Sequence, residues 1–182
     1  MLCQFRRRIE AIPVTHDPDA ACRRAMGYLE LGLPEEALAE LDEITAPGSL
    51  ALHLRVDVLF RLGDWPAAAA ICVPMTEQEP SDPGWWIQAA YAQRRAASLQ
   101  EAEMILRAGL TRHPANGMML YNLACYACMQ GRTDEARGYF HRATATDPEQ
   151  MLEMGLIDPD LEAIRPWLLE LLAAHRTRTT SA

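Results

Sequence analysis

Three prolines, Pro80, Pro114 and Pro148, stand 34 residues apart. Gly63, Ala97 and Gly131 keep the same interval, as do Ala68, Ala102 and Ala136, and Cys72, Leu106 and Phe140. Landmarks recurring in register mean that one supersecondary unit is built several times over. Inside each interval apolar residues follow spacings of 3, 4 and 7, alternation is absent and alanine is abundant, so the unit is helical. A glycine near the middle and a proline at the end divide it into two helices. The last copy, 120–148 (LYNLACYACMQGRTDEARGYFHRATATDP), shows the pattern most fully.

Cap and breaker residues place the remaining helices. Asp17-Pro18 is a helix start, because the Asp side chain accepts from open amides and Pro fits the first helical position. The same pair recurs at Asp82-Pro83 and Asp158-Pro159. A first helix runs through Ala21, Ala25 and Tyr28 to Gly32, and a second opens at Pro34-Glu35-Glu36 and stops before Pro47-Gly48. Gly32 and Gly63 are 31 residues apart, three short of the later period, so the turn at Pro47-Gly48 is contracted. Pro74 falls inside the helix that follows Trp65, and that helix is expected to stop or kink near Cys72. Ser98 and Glu101 form a capping-box pattern. The expected organisation is a lead-in over 1–16, then four helix pairs over 17–148. The pairs span about 17–48, 49–80, 82–114 and 116–148, and closing helices occupy 149–176 before a polar tail at 177–182. Pro166 is expected to divide the closing segment.

The 182 residues can bury a substantial core. A net charge of −8 argues against nucleic acid as a main partner, since phosphate binding needs basic surface. All 17 basic residues are arginine. A GC-rich coding bias is the simplest cause, and the chemical consequence is that no lysine nucleophile, base or phosphate-loop residue exists. The first residues lack the apolar run of a signal peptide, and no later run would cross a bilayer, so no membrane partner is expected. Cys3, Cys22, Cys72, Cys125 and Cys128 are an odd set, and three sit in apolar helical stretches, as reduced thiols in a core would. A reducing cytoplasm is the consistent compartment. Arg6-Arg7-Arg8 is the one dense basic run, in a lead-in read as solvated or as a short helix capping the first pair or touching an acidic partner.

These landmarks resemble the tetratricopeptide repeat, a 34-residue helix-turn-helix unit. The fourth pair carries Leu120 where the family often has Trp, then Leu123-Ala124, Gly131, Ala136, Phe140, Ala143 and Pro148. The third keeps Trp86, Ala89-Ala90, Ala102, Leu106 and Pro114, with Ala97 in place of the turn glycine. The second keeps Gly63, Ala68 and Pro80. The first keeps Ala25, Tyr28, Gly32, Ala37 and Leu41 without a matching proline. The resemblance implies an all-α fold, a right-handed superhelix of stacked antiparallel helix pairs (an α-solenoid), closed by an extra helix after Asp158. It also implies a protein-protein interaction scaffold that holds a peptide on the concave wall, lined by the first helix of each pair.

Helical spacing from the packing alanines gives that wall as columns across three pairs. They are His53, Ile87 and Tyr121; Asp57, Tyr91 and Cys125; Phe60, Arg94 and Cys128; and Arg61, Arg95 and Met129. The expected peptide-binding residues are His53, Asp57, Arg61, Ile87, Tyr91, Arg94, Arg95, Tyr121, Asn122 and Cys125. Arg94 and Arg95 would read an acidic side chain or carboxylate. Some relatives of the family clamp a chaperone's terminal carboxylate through Lys and Asn. Here Cys22 and Met26 hold the corresponding positions and lysine is absent, so that mode is not expected.

Cys125-x-x-Cys128 lacks the second ligand pair of a structural zinc and the preceding strand of a thioredoxin-like motif. His16, His53, His113, His141 and His175 show no ligand spacing, and no nucleophile elbow or phosphate loop occurs. The acidic clusters at Glu35-Glu36, Glu101 to Glu103 and Asp134-Glu135 fall in first turns, where the helix dipole favours them. No cofactor, metal or catalytic activity is expected. An acidic cytoplasmic chaperone for an exported protein, like the small tetratricopeptide chaperones of type III secretion, is the alternative. A homo-oligomer joined through Trp85, Trp86 or the closing helix is a third reading.

Overall fold

The computed structural model describes residues 17–145 and 147–179. The lead-in with Cys3 and Arg6-Arg7-Arg8, and the last three residues of the tail, lie outside the described residues. The described chain is all-α, with ten α-helices and one 3-10 segment and no strand among the described residues. The helices are α1 (Pro18–Glu30), α2 (Pro34–Asp42), α3 (Ser49–Leu62), α4 (Trp65–Gln78) and α5 (Pro83–Ala96). Then follow α6 (Leu99–Arg112), α7 (Gly117–Met129), α8 (Thr133–Ala143) and α9 (Pro148–Ile157), the 3-10 segment Pro159–Ile164, and α10 (Arg165–Thr179). The chain divides into two compact units, one ending at Val58 and the other beginning at Leu59.

In the first unit α1, with Ala21, Ala25 and Leu29 buried, packs on α2, with Ala37 and Leu41 buried, and Ile44 just beyond α2 is buried too. Asp17 caps α1 by accepting from the amide of Asp19 at 3.0 Å. The Arg24 to Glu40 ion pair, 2.7 Å, ties the two helices at their edge. Arg55 on α3 donates to the carbonyl of Leu41 at 2.7 Å, a second donor there beside the amide of Ile44.

In the second unit α5 pairs with α6 and α7 with α8, while α4 packs on α5 and α6 on α7. Alanines at the crossings (Ala89, Ala90, Ala102, Ala124 and Ala136) are fully buried and let the axes approach. Trp86, Leu106 and Phe140 fill the space between them. The repeat is visible in the turns. Gly32, Gly63 and Gly131 all hold φ near +75°, where a side chain is strained. In each turn the next residue donates to a carbonyl five residues back: Leu33 to Tyr28, Asp64 to Leu59 and Arg132 to Ala127, each at 2.9 Å. Ala97 keeps the same bond, Ser98 to Gln93 at 3.1 Å, with φ −138° and so without the left-handed geometry.

Pro74 does not stop α4 near Cys72, since the helix continues to Gln78. The ring is exposed, and so is Ala70, whose carbonyl loses its helical donor to the proline and is left to solvent. The opposite face of the helix, with Cys72, Met75 and Thr76, is buried and holds the segment in place. The Asp-Pro starts at 17, 82 and 158 all cap, and Asp147-Pro148 is a fourth, accepting from Gln150 at 3.0 Å. Asp158, however, opens the 3-10 segment, and Pro166 sits in the first turn of α10, where a missing amide costs nothing. Trp85 and Trp86, read as possible contacts for a second copy, are buried inside the unit. Their indoles donate to Glu79 at 3.0 Å and to the carbonyl of Pro80 at 3.1 Å.

Candidate functional site

The closing segment of the chain lies against the face of α7 that the repeat spacing marks as a wall. The Tyr121 hydroxyl donates to the Asp158 carboxylate at 2.8 Å, and the Cys125 thiol reaches the same oxygen at 3.6 Å. The other Asp158 oxygen caps the 3-10 segment through the amide of Asp160, 2.9 Å. Arg94, in the last turn of α5, pairs with Asp160 at 2.7 Å, and its guanidinium lies 5.4 Å from the centre of the Tyr126 ring. Beyond these acids Leu161 and Ile164 are fully buried. Tyr121 and Cys125 therefore retain only 4% and 3% exposure. An acidic stretch of the chain itself is thus held by a wall arginine, a wall tyrosine and a wall thiol.

Burial sets the titration of these groups. It pushes the Tyr121 hydroxyl and the Cys125 thiol far upward, and the Asp158 carboxylate beside both adds to the effect. Tyr126 is pushed up to about 12 by burial, with Arg94 opposing. Burial also works against the charge on Arg94, but the bond to Asp160 outweighs it and the guanidinium is held more firmly protonated than usual.

Arg95, the neighbour of Arg94, points into a different environment. Its guanidinium sits 4.6 Å from the centre of the Trp65 ring and 4.8 Å from that of Tyr91. Phe60 completes the aromatic group, at 5.6 Å from Trp65 and 5.0 Å from Tyr91, with Trp65 and Tyr91 edge to face at 5.8 Å. The three rings are partly buried and Arg95 is exposed. Among the described residues no carboxylate pairs with Arg95.

The other expected wall residues are dispersed. His53 and Asp57 belong to the first unit, the former partly buried and the latter exposed. In the second unit Arg61 is exposed, Ile87 packs against the core, and Asn122 is partly buried. Met129 is exposed, and Cys128 is buried against the backbone of Ala163 and Ile164. Sequence reasoning missed two participants. Asp158 was legible only as a helix cap, because a cap and a wall partner need the same side chain. Trp65 opens the second helix of its pair and so fell outside a wall drawn from first helices.

Cys22, Cys72, Cys125 and Cys128 are all reduced and buried, and burial pushes Cys72 up to about 12. Among the described residues no three His, Cys, Asp or Glu side chains gather as a metal site requires, and no helix is long and apolar enough to cross a membrane. His113, which has no role in the sequence pattern, contacts the carbonyl of Pro80 through Nε2 at 3.0 Å and ties successive repeats together.

No protein-family model matches the sequence, and no curated protein matches it. Solved structures do. A thermophilic TPR protein of Thermus thermophilus aligns over 86% of this chain and all of its own, with TM-score 0.64 and 13% identity. MamA from Desulfovibrio magneticus RS-1, from residue 41 to its end, aligns over 88% of this chain and 96% of its own, with TM-score 0.63 and 18% identity. MamA of strain MSR-1 aligns over 74% and 79%, with TM-score 0.60 and 18% identity. Likeness at such identities speaks to the fold. The helix pairs, the glycine turns at the 34-residue period and these neighbours agree that the chain has the fold of the tetratricopeptide-repeat proteins.

Proposed function

We propose that this chain is a non-catalytic cytoplasmic scaffold that holds a segment of a partner protein on the wall formed by the first helices of its pairs. The observation that supports this reading is that wall residues already hold two acids of the closing segment, Arg94 on Asp160 and Tyr121 on Asp158. The same residue types, Tyr and Arg, dominate the energetics of protein interfaces because they combine apolar area with directed polar groups. His53, Asp57, Arg61, Ile87, Tyr91, Arg94, Arg95, Tyr121, Asn122 and Cys125 remain the candidate contacts. Tyr121 and Cys125 would act from beneath the closing segment.

Capture of partners from native cells with the tagged chain, identified by mass spectrometry, tests the reading. A specific partner should be retained by the wild type and lost when Arg94→Ala and Arg95→Ala are combined in a variant whose thermal melt shows it folded. Retention by that variant would rule out this placement of the site. A single exported, partly disordered client would instead mark the chain as an export chaperone, whereas a folded enzyme or regulator would mark an adaptor.

A further inference from the structure

The closing segment covers the α7 part of the wall, since Asp158, Leu161 and Ile164 lie over Tyr121, Cys125 and Cys128. A partner segment meets open surface on the α5 side. There the second unit presents Arg95 over Trp65 and Tyr91, with Phe60 against both rings. We infer that this arginine-aromatic platform is the docking point for an acidic side chain of an extended partner segment. The inference rests on the scaffold reading and names the chemistry it would use.

A guanidinium is planar, and its five N–H donors lie in the plane. Aromatic rings attract the cation without supplying carboxylate oxygens, so N–H donors of the guanidinium are left for an acid to bind. Two rings at 4.6 and 4.8 Å also hold the long side chain in place before a ligand arrives, which lowers the entropy lost on binding. Charge points the same way. Arg94 is neutralised by Asp160 at 2.7 Å, whereas Arg95 is exposed and, among the described residues, has no carboxylate opposite it. The nearby Asp64 is engaged in capping α4, through the amide of Ala67 at 3.1 Å. The Arg94 and Asp160 pair shows, one residue away on the same helical turn, the recognition that Arg95 is built to repeat with a partner. The rings add apolar surface for the residues on either side of that acid.

Three synthetic hexapeptides, acetylated and amidated to remove end charges, serve as probes. They carry three Asp, three Asn or three Arg at the same alternate positions. Titration is followed by the Arg95 Nε and Trp65 indole signals in nitrogen-proton NMR, assigned with Arg95→Ala and Trp65→Phe. Saturable shifts are expected with the Asp peptide alone. Arg95→Ala should abolish them, and Arg95→Lys should weaken binding by roughly tenfold because an ammonium neither stacks nor chelates in this way. Equal response to the Asn peptide, no response to any peptide at millimolar concentration, or an Asp-peptide affinity unchanged in Arg95→Ala would each overturn the site. A native partner whose capture survives Arg95→Ala, with no Asp-peptide response, would overturn the platform and leave the scaffold standing. An intact Asp-peptide response with no native partner would support the platform and count against the scaffold.

Discussion

Gly131 and Ala97 occupy equivalent turns and solve the same problem differently. Both turns close a bond from the following residue to a carbonyl five back, yet Gly131 needs φ +75° and Ala97 reaches φ −138°. A Cβ at Gly131 would meet no atom within 4 Å, so the cost of Gly131→Ala is backbone strain alone. It should amount to about 1–2 kcal/mol, read as a lower urea midpoint with an unchanged slope. An unchanged midpoint would mean the turn relaxes to the Ala97 geometry. The turns at Gly63, Ala97 and Gly131 were legible from the period, but the alternative geometry at Ala97 was not, because local spacing reports that a turn occurs and not which dihedrals close it. The thiols were legible only in part: apolar flanks suited buried cysteines, yet the repeat spacing also set Cys125 and Cys128 on the wall, and both lie buried.

Between helices, the third and fourth pairs are joined by a charged network that the sequence offered only as dipole-favoured acids. Arg107 on α6 donates to Glu103 at 2.7 Å and to Glu135 on α8 at 2.5 Å. Arg132 and Gln130, at the α7–α8 turn, donate to the other Glu103 oxygen at 2.6 and 2.9 Å, and Arg132 also pairs with Glu135. Burial by itself would raise Glu103, but the hydrogen bonds from Arg107, Gln130 and Arg132 outweigh it and hold the carboxylate below its ordinary value. A carboxyl lowered in the folded state stabilises it fully above the unfolded value, 4.5, and that contribution disappears as pH falls through the lowered value. The difference in urea midpoint between wild type and Glu103→Gln should therefore be present at neutral pH and vanish in strong acid. A difference independent of pH would show that Glu103 acts through packing and not through its charge. The network escapes a reading by helix because its side chains come from two helices and a turn, and only the stacking of the pairs brings them together.

Within the second unit, the closing segment decides which part of α7 is core and which is wall. Leu161 is fully buried against α7, although it sits in a 3-10 segment whose own hydrogen bonds are weak, so packing and not local structure holds it there. Leu161→Ala should cost about 2–5 kcal/mol, the range for a buried leucine, measured by urea denaturation. A cost under about 1 kcal/mol, the size of an exposed change, would mean the segment is peripheral. Local pattern was enough for the helices, their turns and the Asp-Pro caps, because these rest on bonds between residues two to five apart, whereas the alanine crossings were legible through their recurrence at the 34-residue period. Arg94 and Arg95 are adjacent in sequence and were read as one basic pair. Their separate fates, one on Asp160 and the other over Trp65 and Tyr91, depend on which distant elements each meets. Contacts of that kind follow from how the pairs stack and where the chain returns on itself, and no spacing along the chain encodes them.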